Sequence, residues 1–154
     1  MTAATLAADV IVRSFLDGSL PKPAWTHEAH LTVGLHLART HAPAAALAAM
    51  QDGLRALNAA HGTIDSDTGG YHETITRFYM HVASTVVARG EAAGPLDDAA
   101  ARFIAAWGDR VLPLGFWHRG TLFSVAARRG WVPPDVRPLD PLPRSQRHLG
   151  DPDA

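Results

Sequence analysis

Nine histidines in 154 residues invite the question of where imidazoles gather. Two stand in one short block, Trp25-Thr-His-Glu-Ala-His-Leu31. His27 and His30 are spaced i, i+3, which on a helix places both rings on one face, within reach of a single ion. A second block, Gly70-Tyr-His-Glu-Thr74, brings His72 and Glu73 to the start of another predicted helix. Three imidazoles and a carboxylate, with room for water, form the ligand set of catalytic zinc or non-haem iron. The expectation is therefore that His27, His30 and His72 bind Zn²⁺ or Fe²⁺. Glu73 would be a further ligand or general base, and His61, a loop away from His72, would join it in catalysis. Arg77, beside Glu73, and Arg119, which follows Trp117-His118, are the candidate substrate-binding cations.

Each of these residues also has a structural use. His-x-x-His is a short motif with many chance matches, and it lacks the spacing of a protease helix. Glu73 in a first helical turn, four residues before Arg77, suits both the helix dipole and an ion pair. His61 before Gly62 suits a last turn. Asp65 and Asp67 resemble a fragment of a calcium loop, but without the closing glutamate they read as turn residues. His36, His41, His81 and His148 read as surface or packing residues.

The elements that must position these groups are helical. Residues 3–17 show helical spacing of Leu6, Val10, Phe15 and Leu16, stopped at Gly18. Pro21 and Pro23 impose a linker. Thr26 is an N-cap for a helix to about Thr40, with Trp25 before it as a hydrophobic staple. Pro43 at a first helical position starts a third helix, ending near His61. A turn-rich loop over residues 62–70 leads to a fourth, from about Tyr71 to Arg89, whose apolar stripe is Ile75, Tyr79, Val82 and Val86, extended by His72. A fifth runs from Leu96 to Trp107, and a shorter one covers Trp117 to Arg129. No alternating strand pattern appears. The reading is an all-α, single-domain bundle of five or six helices over residues 1–130, with an extended, proline-rich tail over residues 131–154.

Composition narrows the function classes. A formal net charge of −1 and no long basic run argue against nucleic acid and against an anionic membrane as partners. With no cysteine, a metal here must use nitrogen and oxygen ligands. No apolar run reaches the roughly 20 residues of a membrane span, and Met1 to Ala8 lacks the features of a signal peptide. A cytoplasmic protein acting on a small-molecule substrate is expected.

The blocks Thr-His-Glu-Ala-His-Leu, Ala-His-Gly (60–62), Tyr-His-Glu-Thr-Ile-Thr, Leu-Phe-Ser (122–124) and Trp-Val-Pro-Pro-Asp-Val-Arg-Pro-Leu (131–139) resemble a group of short bacterial helical proteins with no established activity. The resemblance covers most of the chain. It implies no reaction, only that the blocks travel together, as residues around one pocket would.

Three functions compete. The first is a small metal-dependent enzyme, hydrolytic with zinc or oxygen-using with iron. The second is a metal-free ligand-binding protein or acid–base enzyme using the same pocket. The third is a helical interaction domain whose histidines cap helices.

Overall fold

The computed structural model describes residues 6–149. Among them are seven α-helices and no strand: α1 (Ala8–Asp17), α2 (His27–Thr40), α3 (Pro43–Ala60), α4 (Glu73–Ala88), α5 (Leu96–Trp107), α6 (Arg119–Leu122) and α7 (Val125–Arg129). The chain is an all-α bundle. None of its helices is long and apolar enough to cross a membrane, among the described residues.

The centre of the bundle is α2. From Leu31 to Ala38 every residue but His36 is buried, the pattern of a helix surrounded on all sides rather than resting on a core. One face, with Leu31 and Leu35, packs against Phe78 and Val82 of α4 and Phe103 and Trp107 of α5. The other face, with Val33 and Leu37, packs against Ile11 and Phe15 of α1 and Met50, Leu54 and Leu57 of α3. The one buried hydroxyl in this stretch, Thr32, donates back to the Glu28 carbonyl at 2.9 Å, so it leaves no unmet donor.

Local chemistry sets the helix ends. Thr26 caps α2 by accepting from the Ala29 amide at 3.2 Å. The expected staple takes the form of a ring stack: Trp25, just outside the cap, has its ring centre 3.8 Å from that of His30, and Phe15 of α1 also stacks on Trp25 at 5.1 Å. Helix α1 starts at Ala8. Ala7 has no capping side chain, and Asp97 of α5 accepts from the Ala8 amide at 2.8 Å instead. Residues 3–5 of the expected first helix lie outside the described residues.

The stretch expected as one helix over 117–129 is two. Ser124 interrupts it, because its hydroxyl caps α7 through the Ala127 amide at 3.1 Å and also donates to the Thr121 carbonyl. Beyond Gly130 the chain has no regular element until a single 3₁₀ turn, Gln146–His148. Among the described residues it is held to the bundle at several points. Val132 donates to the Thr74 hydroxyl and accepts from the Trp117 indole, and Arg89 donates to the carbonyls of Leu142 and Pro143. Leu139, Leu142 and Leu149 pack with the same cluster as α4 and α5. Asp135 ties the tail to the start of α6, accepting from the Thr121 hydroxyl and the His118 amide. These bonds hold its carboxyl down at about 2.

Candidate functional site

Where the two faces of α2 meet α4, the core leaves a cavity of about 240 Å³. His27, His30, Leu31 and Gly34 of α2 line it, with Met50 and Leu54 of α3, Ile75, Thr76, Tyr79, Met80 and Ala83 of α4, and Phe103 of α5. Its walls thus come from both core clusters, and the cavity lies on the seam between them. Gly34 is part of the reason the wall is thin. A Cβ at that position would stand 3.3 Å from the Met80 sulfur, so glycine lets α4 approach α2.

A second, outer chamber of about 310 Å³ adjoins the first and shares His27, Ile75 and Tyr79 with it. Its remaining walls are Arg110, Arg119 and the apolar side chains of Val111, Pro113, Leu114, Leu122 and Phe123. The site is therefore an apolar inner chamber, a polar waist of His27 and Tyr79, and a cationic mouth.

The waist carries defined protonation states. His27 opens α2, and its Nε2 sits 3.1 Å from the Gly108 carbonyl at the end of α5. A carbonyl can only accept, so Nε2 carries the proton and Nδ1 is the ring's free acceptor. Burial lowers the His27 pKa, and the Arg110 charge lowers it further. His30 is pushed down to about 4, first by burial and then by the positive charges of His27 and Arg110. It is neutral at physiological pH. Tyr79 is raised above its usual value by burial and then by the Asp109 carboxylate, so it stays protonated as a donor. Its hydroxyl is buried and has no hydrogen-bond partner among the described residues. An orphaned buried hydroxyl costs about 1–3 kcal/mol.

His72 stands apart from this cavity. Expected as the last member of the α4 stripe, it is instead the N-cap of α4. Its Nδ1 accepts from the Ile75 amide at 3.2 Å, which requires the proton on Nε2, and Nε2 faces the Leu122 carbonyl at 2.8 Å. Both nitrogens are committed, and neither has a lone pair left for a metal. Burial lowers the His72 pKa and keeps the ring in this neutral tautomer.

Glu73 does not line the cavity either. One oxygen accepts from the Gln51 amide at 2.9 Å and the Tyr71 hydroxyl at 2.6 Å; the other is 3.9 Å from Arg77. That network joins α3 to α4 and employs Arg77 as Glu73's partner. His61 is spent on the Leu20 carbonyl at 2.7 Å, which ties the end of α3 to the segment after α1. Asp65 serves its turn by accepting from the Tyr71 amide at 2.9 Å, and Asp67 pairs with Arg129. Among the described residues, no three His, Asp or Glu side chains converge as a metal centre needs. Of the expected site residues the structure brings together His27, His30 and Arg119, and leaves out His72, Glu73, His61 and Arg77.

No family model, curated protein or solved structure matches this chain. The site must be read from its own residues. Tyr79, Arg110 and Gly34 are the ones that spacing alone did not single out. A tyrosine within an apolar helical stripe was the available signal, because its hydroxyl, once buried, needs a partner.

Depressed histidines make stability depend on pH, and His30 is the one pushed down to about 4. Between about 4 and 6.5 the unfolded chain protonates His30 while the folded chain does not, so the unfolded state binds more protons. Stability is then full above 6.5 and falls as pH drops toward 4. Urea unfolding from pH 7 to pH 4 should show a loss on the order of 2 kcal/mol from this ring. A His30→Gln variant should show a flatter profile. An unchanged slope in that variant would mean that His30 titrates normally.

Proposed function

We propose that this protein binds a small molecule without a metal, seating an apolar body in the inner chamber and a polar end on His27 and Tyr79. The observation that carries the reading is the buried, unpartnered Tyr79 hydroxyl beside His27 in an otherwise apolar cavity. Such cavities, apolar with a few convergent polar groups, are the usual form of small-ligand sites. An apolar cavity of about 150 Å³ holds one benzene, so a chamber of about 240 Å³ suits a single ring with a short chain, or a short alkyl chain. Tyr79 supplies a proton donor and His27 Nδ1 an acceptor, which also equips the waist for proton transfer on a bound substrate. His27 and His30 alone fall short of the three protein ligands that a catalytic metal takes.

The test is binding of neutral probes, 1-hexanol and 3-phenylpropan-1-ol, followed by thermal shift and by fluorescence of Trp25, which stacks on a wall residue. Saturable binding is expected. A Gly34→Leu variant, which fills the chamber, should lose it at least tenfold; if that variant does not fold, Ala83→Val takes its place. No binding by either probe overturns the reading. So does a stoichiometric metal in untagged protein that disappears from a His27→Ala, His30→Ala double variant.

A further inference from the structure

The outer chamber has a charge character that the inner one lacks. Two arginines, Arg110 and Arg119, line it, and no aspartate or glutamate does. Arg110 makes no ion pair or hydrogen bond among the described residues. Arg119 only stands over the Phe123 ring, 5.5 Å from its centre. Seven other arginines are engaged, Arg13, Arg77 and Arg129 with carboxylates and Arg89, Arg102, Arg128 and Arg137 with backbone carbonyls; Arg39, Arg144 and Arg147 are as free as Arg110 among the described residues, but they line neither chamber. Asp109, beside Arg110 in the chain, turns one oxygen to the Val111 amide at 3.0 Å and its charge also acts on His27 and Tyr79.

The positive charge of Arg110 reaches inward. Arg110 lines one chamber with His27 and Tyr79, and its charge acts on both and on His30. The other walls of the chamber, Ile75, Val111, Pro113, Leu114, Leu122 and Phe123, are apolar. Low-dielectric walls strengthen a charge interaction relative to open water. Guanidinium groups are planar donors matched to a planar oxyanion.

Building on the binding reading above, we propose that the ligand is a small monocarboxylic acid. Its alkyl or aryl body fills the inner chamber, and its carboxylate lies in the outer chamber against Arg110 and Arg119. His27 and Tyr79 line that chamber as well, so the Tyr79 hydroxyl donates to one carboxylate oxygen while the arginines face the head. Recognition of the head is electrostatic and falls with added salt.

The experiment compares acid and alcohol of equal body: hexanoate against 1-hexanol, and 3-phenylpropanoate against 3-phenylpropan-1-ol, by calorimetric titration at low and high salt. Each acid is expected to bind at least tenfold tighter than its alcohol at low salt, with the gap closing at high salt. An Arg110→Gln, Arg119→Gln double variant, altered only at exposed positions, should lose that advantage and bind the acid and the alcohol of each pair about equally. Equal affinity of acid and alcohol, or an acid preference that survives the double variant, overturns the carboxylate head and leaves the pocket standing. Failure of all four probes overturns both. Hexyl phosphate binding tighter than hexanoate overturns the carboxylate in favour of a phosphate head.

Discussion

A His72→Ala variant is expected to lose about 3 kcal/mol of unfolding free energy, measured by urea denaturation at neutral pH. Two losses add. Removing an N-cap costs about 1 kcal/mol, here the bond from the Ile75 amide. Stranding the buried Leu122 carbonyl costs about 1–3 kcal/mol more. His72→Asn should recover the cap part alone, since asparagine is among the best N-caps. The pair of variants also decides what this histidine is for. A cap residue moves stability and leaves neutral-probe affinity in place, because His72 is not a wall of either chamber. A His72→Ala protein as stable as its parent, but stripped of a stoichiometric metal, would restore the ligand role.

Trp117→Ala should be the more damaging change, at about 3–5 kcal/mol for the lost ring in a filled core, with the Val132 carbonyl stranded in addition. Trp117 is fully buried. It meets Phe78 of α4 edge-on at 5.5 Å and Trp131 of the tail at 5.8 Å, and its indole donates to the Val132 carbonyl at 2.9 Å. One side chain therefore joins α4 to the segment after Gly130. At about 2–4 °C per kcal/mol for a chain of this size, the melting point should fall by roughly 10 °C or more. Trp117→Phe keeps a ring and should cost about 1–2 kcal/mol, mostly the hydrogen bond. Limited proteolysis gives the second readout: the alanine variant should be cut within residues 131–145 well before its parent. Equal cleavage would mean that the tail is held without this indole.

The helices were readable from local chemistry wherever that chemistry is local. Thr26 and Pro43 mark their helix starts because a cap and a preset φ act within one turn. The break at Ser124 was hidden, since a serine inside an amphipathic run signals a cap only when the preceding turn has already ended. The site was legible by half. His27 and His30 do share a wall, as an i, i+3 pair on a buried helix must. His72 was misplaced for an instructive reason. A histidine at the head of an apolar stripe looks alike whether it is the first turn or the cap before it, and only the Ile75 and Leu122 partners, three and fifty residues away, tell the two apart. Glu73 pairs with Arg77 as its i, i+4 spacing allowed, but its other partner Gln51, and the Leu20 carbonyl that occupies His61, come from other parts of the chain. Arg110 lies in an irregular stretch, and no periodicity could have aimed it at the waist.

The position of α2 between two half-cores limits how this chain can change. Val33 serves one half and Leu35 the other, so neighbouring positions answer to different sets of neighbours. A substitution in Leu31–Ala38 finds no water-facing side on which to hide, His36 excepted. Drift in either half must therefore be negotiated through the same eight residues, and sequence variation tolerated elsewhere should thin out there. The ligand chamber inherits that restraint, since Leu31 and Gly34 belong to the same stretch.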